Sequence, residues 1–277
     1  MMERSRNISG TDNPQSACSS DVFDLLILIQ VSIAGVPPVL TVIFIIFNKE
    51  LRKQQTIMPI NIILCDLVLV AIHLYVFAAS DQSGHWFFTL LAMLITPLDF
   101  TSTLSILLAA LIPFIAIRFD PFGTRHLITT PRIVVACILS WFLPAVIICP
   151  FINPSATNQL PILAGAEYGF LLLTGFCYAL IYLAISSDQS ILTISEERRR
   201  ENKKVFHTIV LVYLSTLVPK SMYLSAFLIY MHGGSDCFRV VGQLTYHLTM
   251  VLNTLVYWWR LEEFKSLFAR WKQCCKR

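Results

Sequence analysis

Five ionisable residues stand out inside long apolar runs: Asp66 in NIILCDLVLV, His73 in VAIHLYVF, Asp99 in ITPLDFTST, Lys220 in STLVPKSMY and His247 in LTYHLTMV. An ionisable side chain in a lipid-embedded segment is costly and tends to serve a function: holding an ion, relaying a proton, binding a polar ligand or pairing with another charge. Asp99 and Lys220 have opposite charge and similar depth in their runs, so an ion pair between them is expected. A lysine in mid-run does not reach water by snorkelling without distortion, so it should face inward, where a carboxylate offsets its desolvation. His73 and His247 each stand alone on an apolar run, and packing, ligand binding and pH sensing all stay open for them. Catalysis is not expected. Intramembrane hydrolysis needs clustered histidines and acids, a serine-lysine site or paired aspartates, whereas Asp66 and Asp99 lie on different runs with no such motif. No metal-ligand spacing occurs.

The runs that carry these residues dominate the chain. Of its 277 residues 56% are hydrophobic and 14% charged, with mean hydropathy +0.66, against roughly a quarter charged in a soluble domain. Seven apolar blocks, 22–47, 57–79, 87–117, 133–152, 162–185, 205–231 and 238–259, match the roughly 20 residues that a helix needs to cross a bilayer. A membrane barrel would show alternating ten-residue strands, and none occur. The expected architecture is an all-α membrane protein: an N-terminal tail (1–21), a seven-helix transmembrane domain (22–259) and an amphipathic helix with a cytoplasmic tail (260–277).

Charge placement sets the expected orientation. Seventeen of the 21 lysines and arginines fall in 48–56, 118–132, 186–204 and 260–277, while Arg4, Arg6 and Arg239 lie on the other side. The positive-inside rule then puts the N-terminus outside and the C-terminus inside, as an odd number of spans requires. Residues 1–21 lack the apolar core of a cleavable signal peptide, so the first span is expected to act as its own anchor. Asn7-Ile8-Ser9 is a glycosylation sequon on the outer side, whereas proline blocks Asn153-Pro154-Ser155. Cys18 and Cys237 are candidates for a disulfide between the tail and the third outer loop, with Cys149 as a rival partner. The charged stretch at 186–204 reads as a helical extension with a solvated face. After the last span, Leu261, Phe264, Leu267, Phe268 and Trp271 recur at helical spacing. Such a helix lies flat on lipid and brings Cys274 and Cys275 to the membrane surface as palmitoylation candidates. The net charge of +4 reflects these inner segments and attraction to anionic lipid, and no basic domain points to nucleic acid.

Several motifs resemble one family. FNKELRKQQTIMPINIILCDLVLV is similar to the first inner loop and second helix of rhodopsin-like (class A) G-protein-coupled receptors, with Asn61 and Asp66 as the matching asparagine and aspartate. FIAIRFDPFGTRHLITTPR resembles their third-helix exit, Trp141 their fourth-helix tryptophan and Pro219 their sixth-helix proline. NTLVYWWRLEEF resembles their Asn-Pro-x-x-Tyr motif, keeping Asn253 and Tyr257. The resemblance spans nearly the whole chain and implies a plasma-membrane receptor of divergent, orphan or odorant-like type. It would bind a small extracellular ligand and signal through a heterotrimeric G protein. It also implies that His73, Asp99, Lys220, Tyr223 and His247 line or border the outer half of a central cavity, with the Asp99–Lys220 pair at its floor. Phe87, Phe88 and Phe170 are candidate apolar walls. Asp66, Ser102 and Asn253 would form a polar core able to hold a sodium ion, whose hard charge prefers oxygen ligands. No other cofactor is expected.

The departures are equally specific. Pro38 replaces the first-helix asparagine, Leu217 the sixth-helix tryptophan and Thr254 the seventh-helix proline. Ile112-Pro113-Phe114 occupies the place of the acid-arginine-tyrosine switch. Arg118 lies more than a turn further on and is expected to point into the loop. Arg198, Arg199 and Arg200 stand where a partner acid would be. The inner ionic latch is therefore absent from both sides. This leaves a second expectation, a non-signalling relative that partners other receptors or captures ligand.

Overall fold

The computed structural model describes residues 20–51, 54–79, 86–119, 126–148, 159–187, 196–260 and 265–266. Among the described residues the secondary structure is helical, with no strand. Seven long helices follow in order: α1 (Ser20–Phe47), α2 (Ile57–Ala78), α3 (Trp86–Phe119), α4 (Thr130–Ile148), α5 (Gln159–Ser187), α6 (Glu196–Met231) and α7 (Asp236–Arg260). Their cores coincide with the seven apolar blocks, because a continuous run of apolar side chains in lipid leaves the backbone no partner but itself. Helix ends shift by a few residues from the expected positions, and those of the fourth and sixth are informative. The fourth helix starts at Thr130, with Pro131 in its first turn, where the missing N–H would be unbonded anyway. The sixth starts at Glu196, so residues 196–204 of the expected charged extension are helical, while 188–195 lie outside the described residues.

The helices pack as a closed ring. Contacts run from α1 to α2 and α7, from α2 to α3, from α5 to α6 and from α6 to α7, while α3 touches α2, α4, α5 and α6. The distribution of side chains is the reverse of that in a soluble domain. Val135, Ile138, Leu139, Phe142, Val146 and Ile147 of α4 face outward, whereas Thr101, Ser102, Thr103, Ser105, Thr216 and Asn253 are buried. Exposed apolar surface on this scale is stable only against lipid or another protein. Six of the described helices, α1 to α6, are long and apolar enough to cross a membrane. The chain is by these criteria a multi-pass helical membrane protein. At 25 residues α7 is also long enough, but polar residues interrupt its apolar run.

Asn7, Cys18, Cys149, Cys274 and Cys275 lie outside the described residues, as does most of the expected eighth helix, of which Lys265 and Ser266 are helical. Cys237 is disulfide-bonded, while Cys65, Cys137 and Cys177 are free. Both partners weighed for Cys237 thus fall outside the described residues.

Close helix approach depends on small residues, since lipid tails compete with any apolar side chain for the same surface. A Cβ at Gly175 of α5 would lie 2.5 Å from Tyr213 Oη of α6, and that hydroxyl donates to Leu171 O at 3.1 Å. Gly175→Ala must therefore displace the phenol and break its bond to the α5 backbone. We expect it to lower the thermal stability of the detergent-solubilised protein by about 1–3 kcal/mol, as overpacking does elsewhere. Gly169→Ala, whose Cβ meets nothing within 4 Å, should leave the melting temperature unchanged.

Candidate functional site: a buried ionic centre

The centre forms around Lys220 because of where α6 places it. Pro219 is buried one residue earlier and denies the helix one N–H while crowding the carbonyl a turn before. Lys220 itself is only 2% exposed. A buried ammonium is tolerated only when its charge is opposed and its three protons are all bonded. The structure supplies three acceptors: Asp99 Oδ1 at 2.7 Å, Thr103 Oγ1 at 2.7 Å and Glu167 Oε1. Asp99 and Thr103 are one turn apart on α3, so they share the face turned to α6. Thr103 also donates to Glu167 Oε1 at 3.1 Å. From α7, Tyr246 Oη donates to Asp99 Oδ1 at 3.1 Å. One lysine thus ties α6 to α3 and α5, and Asp99 brings in α7 through Tyr246.

The pairing of Asp99 with Lys220 is the one expected from charge and depth. Glu167 is the residue that reading missed, although it stands within the fifth apolar block in LAGAEYGF. Matching Lys220 to a single acid by sign hid it, whereas counting buried acids against buried bases would have exposed it. Thr103 and Tyr246 carried no sequence signal beyond being polar in an apolar run.

The other candidate residues fall into three groups. His73 and His247 come together from α2 and α7 with ring centroids 5.0 Å apart. Tyr246 packs against His247 at 5.4 Å, against His73 at 5.7 Å and against Tyr223 at 5.1 Å. These rings form an aromatic wall beside Asp99. His73 Nδ1 bonds Leu69 O at 2.8 Å, whereas the buried His247 ring lies near the Gln243 backbone, one turn earlier, but outside good bonding geometry. Phe87 is exposed and stacks edge-on with Tyr75 at 5.6 Å, and Phe170 stacks on Phe100 at 6.2 Å. Nothing is described of the Phe88 side chain.

Deeper in the bundle, Ser102 donates to Asp66 Oδ1 at 3.3 Å, and Asp66 Oδ2 is buried without a partner. Asn253 accepts from Ser215 at 2.9 Å and from Thr216 at 3.1 Å, both through Oδ1. Its Nδ2 lies near Asp66 but outside good bonding geometry. The three groups expected to hold sodium are therefore gathered. Asn253, however, turns a donor toward Asp66, and a cation there would need its amide reversed. A second polar cluster joins three helices: Trp141 Nε1 donates to Asn61 Oδ1 at 2.8 Å, and Asn61 Nδ2 donates to Ser105 at 2.8 Å.

At its C-terminal end α3 continues helically through Pro113 to Phe119. Ile112 packs with Met58, Ile133 and Cys137. Phe114 packs against Leu107, Cys177 and Ile181. Tyr257 is buried with Ile62, Ile106 and Val212. Arg118 is still in the last helical turn of α3, and exposed.

Charge counting orders the effects of substitution. Lys220→Met leaves two buried carboxylates without their cation and should cost about 3–5 kcal/mol, the range for breaking a buried pair from one side. Glu167→Gln keeps the Lys220–Asp99 pair and removes surplus negative charge, so its loss should be clearly smaller. Asp99→Asn combined with Glu167→Gln strands the lysine and should match Lys220→Met. Surface expression and detergent thermal stability measure all three. A single Glu167→Gln as damaging as Lys220→Met would refute shared pairing.

No protein-family model and no curated protein matches this chain.

Proposed function

We propose that the chain is a divergent class A-like G-protein-coupled receptor of the plasma membrane, with its N-terminus outside and α7 as a seventh span. A small extracellular ligand acts in the outer half of the bundle and biases two packings of the helices, and the cytoplasmic face reports the difference. The observation that carries this reading is the ionic centre: a buried lysine of α6 pairs with α3 and α5, and α7 joins through Tyr246 on Asp99. A ligand that competes for those contacts has differential affinity for the two packings, which any ligand-driven change requires.

Two further observations support it. The polar residues that lower the hydropathy of α7 are turned inward: His247, Thr249, Asn253 and Thr254 are buried, whereas Phe238, Val241, Leu248, Leu255 and Trp259 face out. That arrangement suits a span whose outer surface meets lipid. The ring order, with α3 against four other helices, and the Asn61–Trp141 contact are also what the resemblance implies.

A second reading, a non-signalling partner or ligand-capturing relative, is favoured by one feature. Ile112 and Phe114 are committed to apolar packing at the inner end of α3, where a switch would need a charged group free to change partners.

Tags and transducers separate these readings. An N-terminal epitope should label on intact cells, and a C-terminal epitope only after permeabilisation. In a panel of G-protein reporters the wild type should show activity above mock-transfected cells, and Pro113→Arg should raise it severalfold. Reversed labelling would remove the receptor reading. Silence of both proteins at normal surface levels would leave the non-signalling one.

A further inference from the structure

Where α1, α2 and α7 meet, several polar side chains keep hydrogen-bonding capacity to spare. His73 of α2 and His247 of α7 lie with ring centroids 5.0 Å apart, and Tyr246 packs on both rings. His73 Nδ1 is 2.8 Å from Leu69 O. A carbonyl only accepts, so Nδ1 carries the proton and Nε2 of the neutral ring offers a lone pair. His247 is 1% exposed, and neither of its ring nitrogens reaches good bonding geometry. The nearby Gln243 backbone can satisfy one nitrogen at most, which leaves the other without a partner. Gln243, on the same face of α7 as His247, has its side-chain Oε1 buried and unbonded. So has Gln30 of α1, whose Nε2 donates to Leu244 O at 2.6 Å. Burying acceptors in this way is costly unless something completes them.

Spacing, chemistry and charge all suit a metal ion. An imidazole whose second nitrogen donates to a backbone carbonyl is oriented as metal-bound histidines are. Metal–nitrogen bonds of about 2.0–2.1 Å at a tetrahedral angle put two coordinating imidazole centroids about 5 Å apart, and such an ion needs no cavity wider than the gap between its ligands. The His247 ring, held by no good hydrogen bond, can turn its free nitrogen to that point. Among the described residues no third histidine, cysteine or carboxylate joins the pair, so amide oxygen and water must complete the sphere. Imidazole ligands favour zinc-like ions over magnesium and calcium. Among the described residues, the bundle interior holds Asp66, Asp99 and Glu167 against Lys220 alone. When all are ionised, that is a surplus of two negative charges, which a divalent cation offsets. Water would fill the open acceptors but leave that charge unmatched.

We infer that His73 and His247 form a binding site for a divalent transition-metal ion of the zinc type, with Gln243 Oε1 as a third donor. The ion staples α2 to α7. This site goes beyond the receptor reading and does not rest on it.

The test is zinc titration of the purified full chain, stripped with EDTA and carrying no histidine tag, followed by thermal stability in detergent and by metal content after dialysis. Zinc should bind at about one ion per chain and raise the melting temperature by about 3–5 °C at ten times its half-saturating concentration. Magnesium and calcium should do neither. His73→Gln and His247→Gln should each raise the half-saturating zinc concentration by roughly tenfold or more. His247→Cys, which keeps a zinc ligand, should retain the response. His232→Gln, exposed just past the end of α6, should leave it unchanged. Zinc no better than magnesium would overturn the proposal. So would an undiminished response in both glutamine variants, which would mark an adventitious ion only. Because no transducer takes part, a zinc response alongside silent G-protein reporters would keep the site and sink signalling, and active reporters without a zinc response would do the reverse.

Discussion

A charged lysine that cannot reach water must be matched where it lies, and the arrangement of four helices follows from that requirement. Lys220 has three protons and finds three oxygens, two on α3 and one on α5, while α7 joins through Tyr246 on the same carboxylate. In a low-dielectric interior the position of each acceptor is tightly constrained, because a displaced partner leaves charge uncompensated. Apolar packing between these helices has no comparable directionality, since lipid competes for the same surfaces. The ionic centre therefore decides which faces of α3, α5, α6 and α7 turn inward.

The remaining polar groups extend the same logic along the bundle axis. Ser102 reaches Asp66 between α3 and α2. Asn253 is bonded by Ser215 and Thr216 between α7 and α6. Asn61 joins Ser105 and Trp141 between α2, α3 and α4. Each of these side chains would be costly facing lipid, so each fixes the rotation of its helix. The C-terminal end of α3 contrasts with this, because Ile112 and Phe114 join apolar clusters there. The directional bonds of the bundle thus lie away from the C-terminal end of α3.

Helix existence and approximate limits were legible because each apolar block is long enough to cross a bilayer, and in lipid the helix is the one local structure that satisfies its own backbone. The Asp99–Lys220 pairing was legible too, since opposite charges at similar depth have strong reason to meet. The blind spots have definite causes. Glu167 was overlooked because one lysine was balanced against one acid, and nothing in a linear sequence says that a lysine serves two. Tyr246 adjoins His247 in sequence, yet only the rotation of α7 reveals that its hydroxyl bonds Asp99 while the histidine ring packs against His73. Phe87, expected as a wall, lies exposed against Tyr75, because an aromatic residue in an apolar run carries no signal of which way it faces.

The sequence alone determined that the chain is helical and membrane-embedded, and where its buried charges are, because hydropathy and charge are properties of residues in order. Only the tertiary structure decided which charges share a partner, which oxygens remain open and which imidazoles meet. Those are properties of helix rotation and depth, set by many weak contacts across 277 residues, and no short stretch of sequence contains them.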